Sequence, residues 1–550
     1  MKNINAKFFL VPVLIIITAF VQGDSDIYFK MNKSIDIFGK IYREISLNYV
    51  DVVDPEVFMK AGIEGMLSTL DPYTSYYDEQ KQEDIEIITN GKYGGVGATI
   101  GVRNKKVIVV DLIEGYSAYR QGIMIGDEIV NINGVDVNEK NYSTISSLIK
   151  GDAGTEVVII IQREGNEGKM VFNLLREEIE IKNLSYYGFY PEKSGNVYLK
   201  LTSFSRTAGD EIKKALIELK DKGEINSIVL DLRGNPGGLL DAAVDVTEKF
   251  VESNSLIVSV IGRDSTDMKK FNSKEKPLAG DTKLVVLIDQ NSASASEIVA
   301  GAIQDHDRGV ILGTKSFGKG LVQSIIPVTA KTSLKMTTAK YYTPSGRCIQ
   351  KIDYSNHNLN EDRQEVIDSI DYFTGNKRIV KGAGGISPDT LVSNTSESDQ
   401  VTNLLARGMF FKFATNYFNT TNPETKLSTS QDQLFEKFLK YLKTQEFEYT
   451  SKIESLAKQL EKEAEESIAS NKEISLKAKE ILGEIEKEKQ NELIKFKGDI
   501  LAQINEEIAA RSNGRKGRIE ESLKYDKQFA AAISLLKKEK NYKNFLKELE

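Results

Sequence analysis

The segment NSASASEIVAGAIQDHDRGVILGTKSFGKGLVQ, starting at Asn291, sets three serines at alternate positions ahead of one histidine and two lysines. Ser292, Ser294 and Ser296 are hydroxyl nucleophiles that need a base to act. The chain of 550 residues holds two histidines and one cysteine, so the ordinary bases can be checked one by one. His306 and His357 are too far apart in sequence to form the HExxH pair of a zinc peptidase, and the D-T/S-G signature of aspartic peptidases is absent. His306, in the polar QDHDRG connection, reads as solvent-facing, and His357, in DYSNHNLNED, as less engaged still. Cys348 stands alone, which excludes an intramolecular disulfide and a cysteine-rich metal site. The chemistry that remains requires no metal and no organic cofactor.

Lysine is the base left over, and only its neutral form accepts a proton. Its ordinary pKa of about 10.4 must fall to near 7, about 4 kcal/mol of disfavoured charge, which burial in an apolar site supplies. Lys319 sits between Gly318 and Gly320, behind Phe317 and the apolar GVILG, where a bare backbone packs closely around an amine. Lys315, between Thr314 and Ser316, has no such setting. The same GTKSFGKG stretch matches a phosphate-binding loop except at its last position, where Gly320 replaces the Mg²⁺-binding Ser or Thr. The β-branched LVQSIIPV follows in place of a helix, so nucleotide hydrolysis is excluded.

These residues need elements to carry them. KLVVLIDQNSASASEIVAGAI reads as strand, small-residue turn and helix, which presents a serine at a sheet end beside free helix N–H groups. A cluster of Ser and Asn is also what a helix N-cap looks like, so the local pattern alone leaves Ser294 and Ser296 open as caps. IVLDLRGNPGGLLDAA is a second strand–turn–helix whose glycines leave backbone amides uncovered. Strands and helices alternate from about 195 to 345, the mark of an α/β layer with largely parallel strands. GGVGATIG leads into a strand, so it is no dinucleotide fingerprint. Beyond about 400 the chain is rich in Lys and Glu, with apolar residues at helical spacing. The formal net charge of −7 offers nothing to nucleic acid. At the N-terminus, lysines at 2 and 7 precede an apolar run from Phe8 to Val21 that Pro12 interrupts, with Gly23 as a tolerable cleavage point. That is a secretory signal in preference to a retained membrane anchor, and export to the periplasm or cell envelope is expected.

Taken in order, the blocks LDPYTSYYD, YGGVGATIG, QGIMIGDEIVNINGVDV, VLDLRGNPGGLLDAAV, NSASASEIVAGAIQD, GTKSFGKGLVQ, TTAKYYTPSGRCIQ and GISPD resemble the C-terminal processing (tail-specific) serine peptidase family over roughly residues 35–395. The resemblance implies a multidomain α/β protein. It divides into a signal peptide (1–23), an N-terminal helical region (24–88), an inserted PDZ β-domain (89–178), a crotonase/Clp-peptidase-like core (179–395) and a C-terminal helical extension (396–550). It also implies a Ser–Lys dyad with Ser294 as nucleophile, Lys319 as base and Gln323 holding the lysine. Backbone N–H groups of Ala295 and of Gly237 or Gly238 would form the oxyanion hole, leaving Ser292 and Ser296 as turn and cap residues. In the PDZ-like block, Tyr93, Gly94, Gly95, Val96 and Gly97 are expected to form a loop that captures a terminal carboxylate, beside an edge that takes a peptide as an added strand. Tyr116 and Gln121 stand where smaller residues are usual in that family, which bears on side-chain preference or gating.

The expected partners are proteins or peptides with a free C-terminus. The tail beyond about 400 reads as a packing or self-association element, and the helical regions are assigned to oligomerisation or to docking of a regulatory partner. A reading from another class is a silent PDZ scaffold that binds peptide tails without cutting them.

Overall fold

The computed structural model describes residues 10–79, 82–103, 105–264, 266–355, 364–366, 370–394, 396–421, 429–445, 447–466 and 472–547. His357 falls outside the described residues. The chain gathers into two compact units, the smaller holding the N-terminal region through Asp78 with Gln323–Thr337.

In the smaller unit a single helix runs Leu10–Asn48, so the apolar run continues without a break into the expected N-terminal helical region. Pro12 does not interrupt it. No helix of the described residues is long and apolar enough to cross a membrane. A second helix, Pro55–Ser68, starts on Asp54, whose side chain accepts from the N–H groups of Glu56 and Val57. Tyr42 stacks on Phe58 at 5.5 Å and ties the two helices together. The strand Ser75–Tyr77 pairs antiparallel with Ser333–Lys335.

The larger unit begins with an antiparallel sheet in the order Ala98–Arg103, Lys106–Leu112, Glu128–Ile132, Glu156–Gln162, Lys169–Leu175. Alternation along EVVIIIQ sends Val157, Ile159 and Ile161 into one core with Val109, Ile129 and Ile145. The helix Tyr142–Ile149 covers that face.

The second sheet runs Leu184–Phe189, Asn196–Leu201, Ser227–Asp231, Lys283–Ile288, Val310–Gly313, Thr390–Leu391, parallel except for its first pair. SIVLD is buried at every position, as a strand covered on both faces must be. Ile228, Leu230, Leu284, Val286 and Ile311 pack under the helices Ala208–Lys222, Leu240–Glu248 and Ala295–Asp305. The alternate residues Tyr198, Val229, Val285, Leu287, Val310 and Leu312 meet Leu523, Phe529, Ala532, Leu536 and Tyr542. The last helices of the chain, Lys527–Lys537 and Glu539–Phe545, therefore form the sheet's other cover. Of the two readings of the tail, packing holds for this stretch, which is core and not docking surface. Phe and Leu side chains buried this way contribute about 1.5–3 kcal/mol each.

The rest of the extension forms its own core, where Phe410, Phe413 and Phe438 stack among Leu404, Leu434 and Ile504. From it come the helices Lys452–Glu466 and Lys472–Lys495, packed on each other with Ile453, Leu456, Leu460 and Leu476 exposed.

Candidate active site

Three segments meet at the carboxyl ends of the parallel strands. The turn after Lys283–Ile288 carries the serines, and burial separates them. Ser292 and Ser296 are fully buried. Ser292 Oγ donates to Leu232 O at 2.9 Å and Ser296 Oγ to Asn235 O at 2.9 Å, so both hydroxyls are structural ties. Ser296 lies inside the helix and is not its cap. Ser294 is the half-buried one, and it stands at the N-cap with φ 55° and ψ −112°. A non-glycine residue there is strained, and such strain persists only where surrounding contacts over-determine it.

Those contacts come from Glu297. The sequence SxxE is a capping-box pattern, and the Glu297 carboxylate turns back to accept from Ser294 N at 2.8 Å. It also accepts from Lys319 N at 3.0 Å, Gly318 N at 2.7 Å and Ser316 Oγ at 2.6 Å. One oxygen, Oε2, is thus shared by the amides of Ser294 and Lys319. Glu297 is buried, and burial pushes its pKa up to about 7 against the pull of those four donors. Tyr341 adds a tie by donating its hydroxyl to Ser294 O at 3.2 Å.

The lysine loop is wedged by its glycines. Gly318 has φ 89°, and a Cβ there would stand 2.7 Å from Lys351 Cβ, while one at Gly320 would stand 3.0 Å from Gln350 N. Lys319 itself is half-buried, whereas Lys315 is exposed and lies over Gly384. In the smaller unit, Gln323 Nε2 donates to Thr337 Oγ1 at 3.2 Å.

The Gly-rich turn after Ser227–Asp231 is laced to the serine turn by Asn235, whose carbonyl accepts from Ala293 N at 3.0 Å. A Cβ on Gly237, where φ is 101°, would fall 2.9 Å from both Ala295 N and Ser294 Cβ, so only glycine fits. Gly237 N donates to Asn235 Oδ1 at 2.9 Å and is already committed. The amides of Ala295 and Gly238 donate to no protein acceptor among the described residues. The sequence pair Gly237/Gly238 is thereby narrowed to Gly238 as the available donor.

His306 is corrected as well. It ends the Ala295–Asp305 helix half-buried, with Nε2 2.6 Å from Leu256 O, a donor to the backbone and not a solvent-facing ring. The TPSGR block serves Asp305, which pairs with the buried Arg347 at 2.7 Å and accepts from Ser345 N at 2.9 Å. Glu297 is the residue that sequence reasoning passed over, although its SxxE spacing was in view.

In the first sheet, the expected carboxylate loop is shorter than proposed. Tyr93, Gly94 and Gly95 belong to the strand Lys92–Gly95, paired with Glu177–Glu180 in the register Tyr93↔Ile179 and Gly95↔Glu177. Only Val96 and Gly97 lie beyond that ladder, with Tyr116 packed over Gly97 and its hydroxyl accepting from Glu180 N at 3.1 Å. Ala98–Arg103 is an edge strand. Its Ile100 lies opposite Val109, whose N–H and C=O bond Asp127 and Gly126 on the far side. The main-chain groups of Ile100 therefore face the open edge, where Tyr142 donates its hydroxyl to Ile100 O at 3.0 Å.

Comparison with known proteins follows these divisions. Residues 196–357 match the model of peptidase family S41, 108–163 that of the PDZ domain, and 401–536 that of the probable PDZ-protease C-terminal helical domain. The carboxy-terminal-processing protease of Bartonella bacilliformis is 38% identical over 324 residues, 58% of this chain and 73% of the relative. Carboxy-terminal processing protease CtpB of Bacillus subtilis is 33% identical over 341 residues, 62% of this chain and 70% of the relative. Among solved structures, a photosystem II D1 C-terminal processing protease is 25% identical, covering 64% of this chain and 86% of its own, with a TM-score of 0.36.

Proposed function

The chain belongs to peptidase family S41, and on that premise we propose that it is an exported endopeptidase that takes C-terminal tails of proteins at its PDZ domain and cuts them through a Ser294–Lys319 dyad. Neutral Lys319 takes the Ser294 Oγ proton as Oγ attacks the scissile carbonyl carbon. The N–H groups of Ala295 and Gly238 meet the oxygen that gains charge. The lysinium returns the proton to the leaving amine as the C–N bond breaks and the acyl group stays on Oγ. Water, deprotonated by the same lysine, then releases the new carboxylate and restores the hydroxyl. Gln323 keeps the role the family resemblance assigns it, holding the lysine. The observation that carries the reading is the strained Ser294, the half-buried member of three serines, sharing one carboxylate oxygen with the Lys319 amide.

The test is the intact mass of products from an unfolded protein substrate with free or amidated C-terminus. Ser294→Ala and Lys319→Ala are each expected to lose about 10⁴-fold or more in kcat. Ser292→Ala and Ser296→Ala should retain cleavage wherever they fold, and amidation should slow the native chain. Cleavage surviving in Ser294→Ala removes the assignment. Tail binding by a native chain that never cuts would favour the scaffold instead.

Export rests on the basic start and the apolar run from Phe8 to Val21. Fractionation should place the protein in the envelope, and recovery in the cytosol with Met1 intact would defeat this.

A further inference from the structure

Arg233 stands at the head of the turn that carries Gly238, and its surroundings come from two distant parts of the chain. Asp231, fully buried at the end of its strand, accepts from Arg233 Nε at 2.9 Å and pairs with the guanidinium at 2.6 Å. It pairs with Lys200 at 3.1 Å as well, and Lys200 donates to Arg233 O at 2.9 Å. Two further acceptors for Arg233 come from the end of the chain. Asp526 Oδ2 pairs with it at 2.6 Å and Gln528 Oε1 accepts from it at 2.7 Å. The cluster balances two cations against two carboxylates inside the protein, and removing either carboxylate leaves a buried excess of positive charge.

Asp526 divides its work. Oδ1 caps the Lys527–Lys537 helix by accepting from Gln528 N and Phe529 N, and Oδ2 faces Arg233. Beyond Arg233 the turn is held at Gly234 N by Asp289 Oδ1 at 2.9 Å and at Asn235 by the serine turn. Arg233, at the start of the turn, is thus anchored both by the catalytic sheet through Asp231 and by the tail, while Gly237 and Leu239 at the far end bond the backbone of Phe204.

We propose that Asp526 and Gln528 are positioning residues of the reaction: they hold Arg233, and through it the Gly238 N–H, in place beside Ser294. This rests on the peptidase reading above, in which Gly238 supplies an oxyanion donor. A donor held out of place weakens binding of the transition state more than binding of the substrate, so kcat falls and KM does not.

The experiment uses the full chain. Asp526→Asn preserves the cap, since Asn caps as well as Asp, but turns an amide donor toward Arg233. We expect kcat to fall five- to fiftyfold with KM unchanged, read well below an unfolding temperature that itself falls because one buried counter-charge is lost. Gln528→Leu, which at similar volume deletes the acceptor for Arg233 together with the amide bond to Val392 O, should give a smaller loss of the same kind. Leu536→Ala, on the same helix and away from Arg233, should lower the unfolding temperature and leave kcat unchanged below it. Native kcat in both Asp526→Asn and Gln528→Leu overturns the proposal. So does a loss that merely follows the unfolded fraction, as in Leu536→Ala. Absence of cleavage by the native chain would instead fell the peptidase reading, and the positioning role with it.

Discussion

The serine turn and the PDZ edge are built by opposite means. At the turn, a strained residue is surrounded by buried side chains that leave its backbone no freedom. Glu297 holds the amide of Ser294, Tyr341 holds its carbonyl, and Asn235 ties in the neighbouring turn. At the edge, the main-chain groups of Ile100 face outward and a single tyrosine hydroxyl occupies the carbonyl. Chemistry needs donors already aimed before the substrate arrives, whereas strand addition needs donors and acceptors that a peptide can take over.

That contrast breaks most severely at Glu297. Glu297→Gln keeps the volume but sets an NH₂ group against backbone N–H donors, leaving at least one buried donor unpaired. Each such loss costs about 1–3 kcal/mol, so kcat should fall about 10- to 100-fold while peptide affinity at the PDZ edge stays native. A fall in both would show that the two regions are not independent.

The same residue predicts two opposed pH effects. With its pKa raised from 4.5 to about 7, the native fold binds a proton that the unfolded chain has already released. The resulting stability is fully present below pH 4.5 and is lost as pH rises through about 7, a change of about 3 kcal/mol. Protonation, however, removes an acceptor from the four donors, so turnover should rise across the window in which stability falls. Denaturant titrations and kcat at pH 5 and 8 read both, and Glu297→Gln should flatten the stability profile. A native profile rising with pH would reverse the sign and refute the assignment.

The smallest expected effect lies at the edge. Tyr142→Phe deletes the hydroxyl that covers Ile100 O and should tighten binding of a free-carboxylate peptide two- to tenfold by fluorescence anisotropy, with kcat unchanged. Weaker binding would mean that the hydroxyl serves the peptide and not the empty edge.

Much of this was legible in the sequence where it is local. The strand–turn–helix at 283–305 and the second one at 227–248 needed only neighbouring residues. The three serines could not be ranked by spacing, because alternate small residues look alike until a neighbouring turn buries two of them. Gly94 and Gly95 read as loop because glycines disfavour strands, but the strand at Glu177–Glu180 overrides that preference from far along the chain. The tail's apolar period announced helices without saying what they cover.

The amino-acid order by itself determined which groups exist to do the work: a serine beside a helix start with a glutamate three residues on, and a lysine between glycines. Only tertiary structure decided which serine is left half-buried, which glycine amide is unspent, and that helices near residue 530 hold an arginine at 233. The reason is physical. Local bonding reaches a few residues and leaves its mark in spacing, while burial and charge balance depend on partners hundreds of residues away.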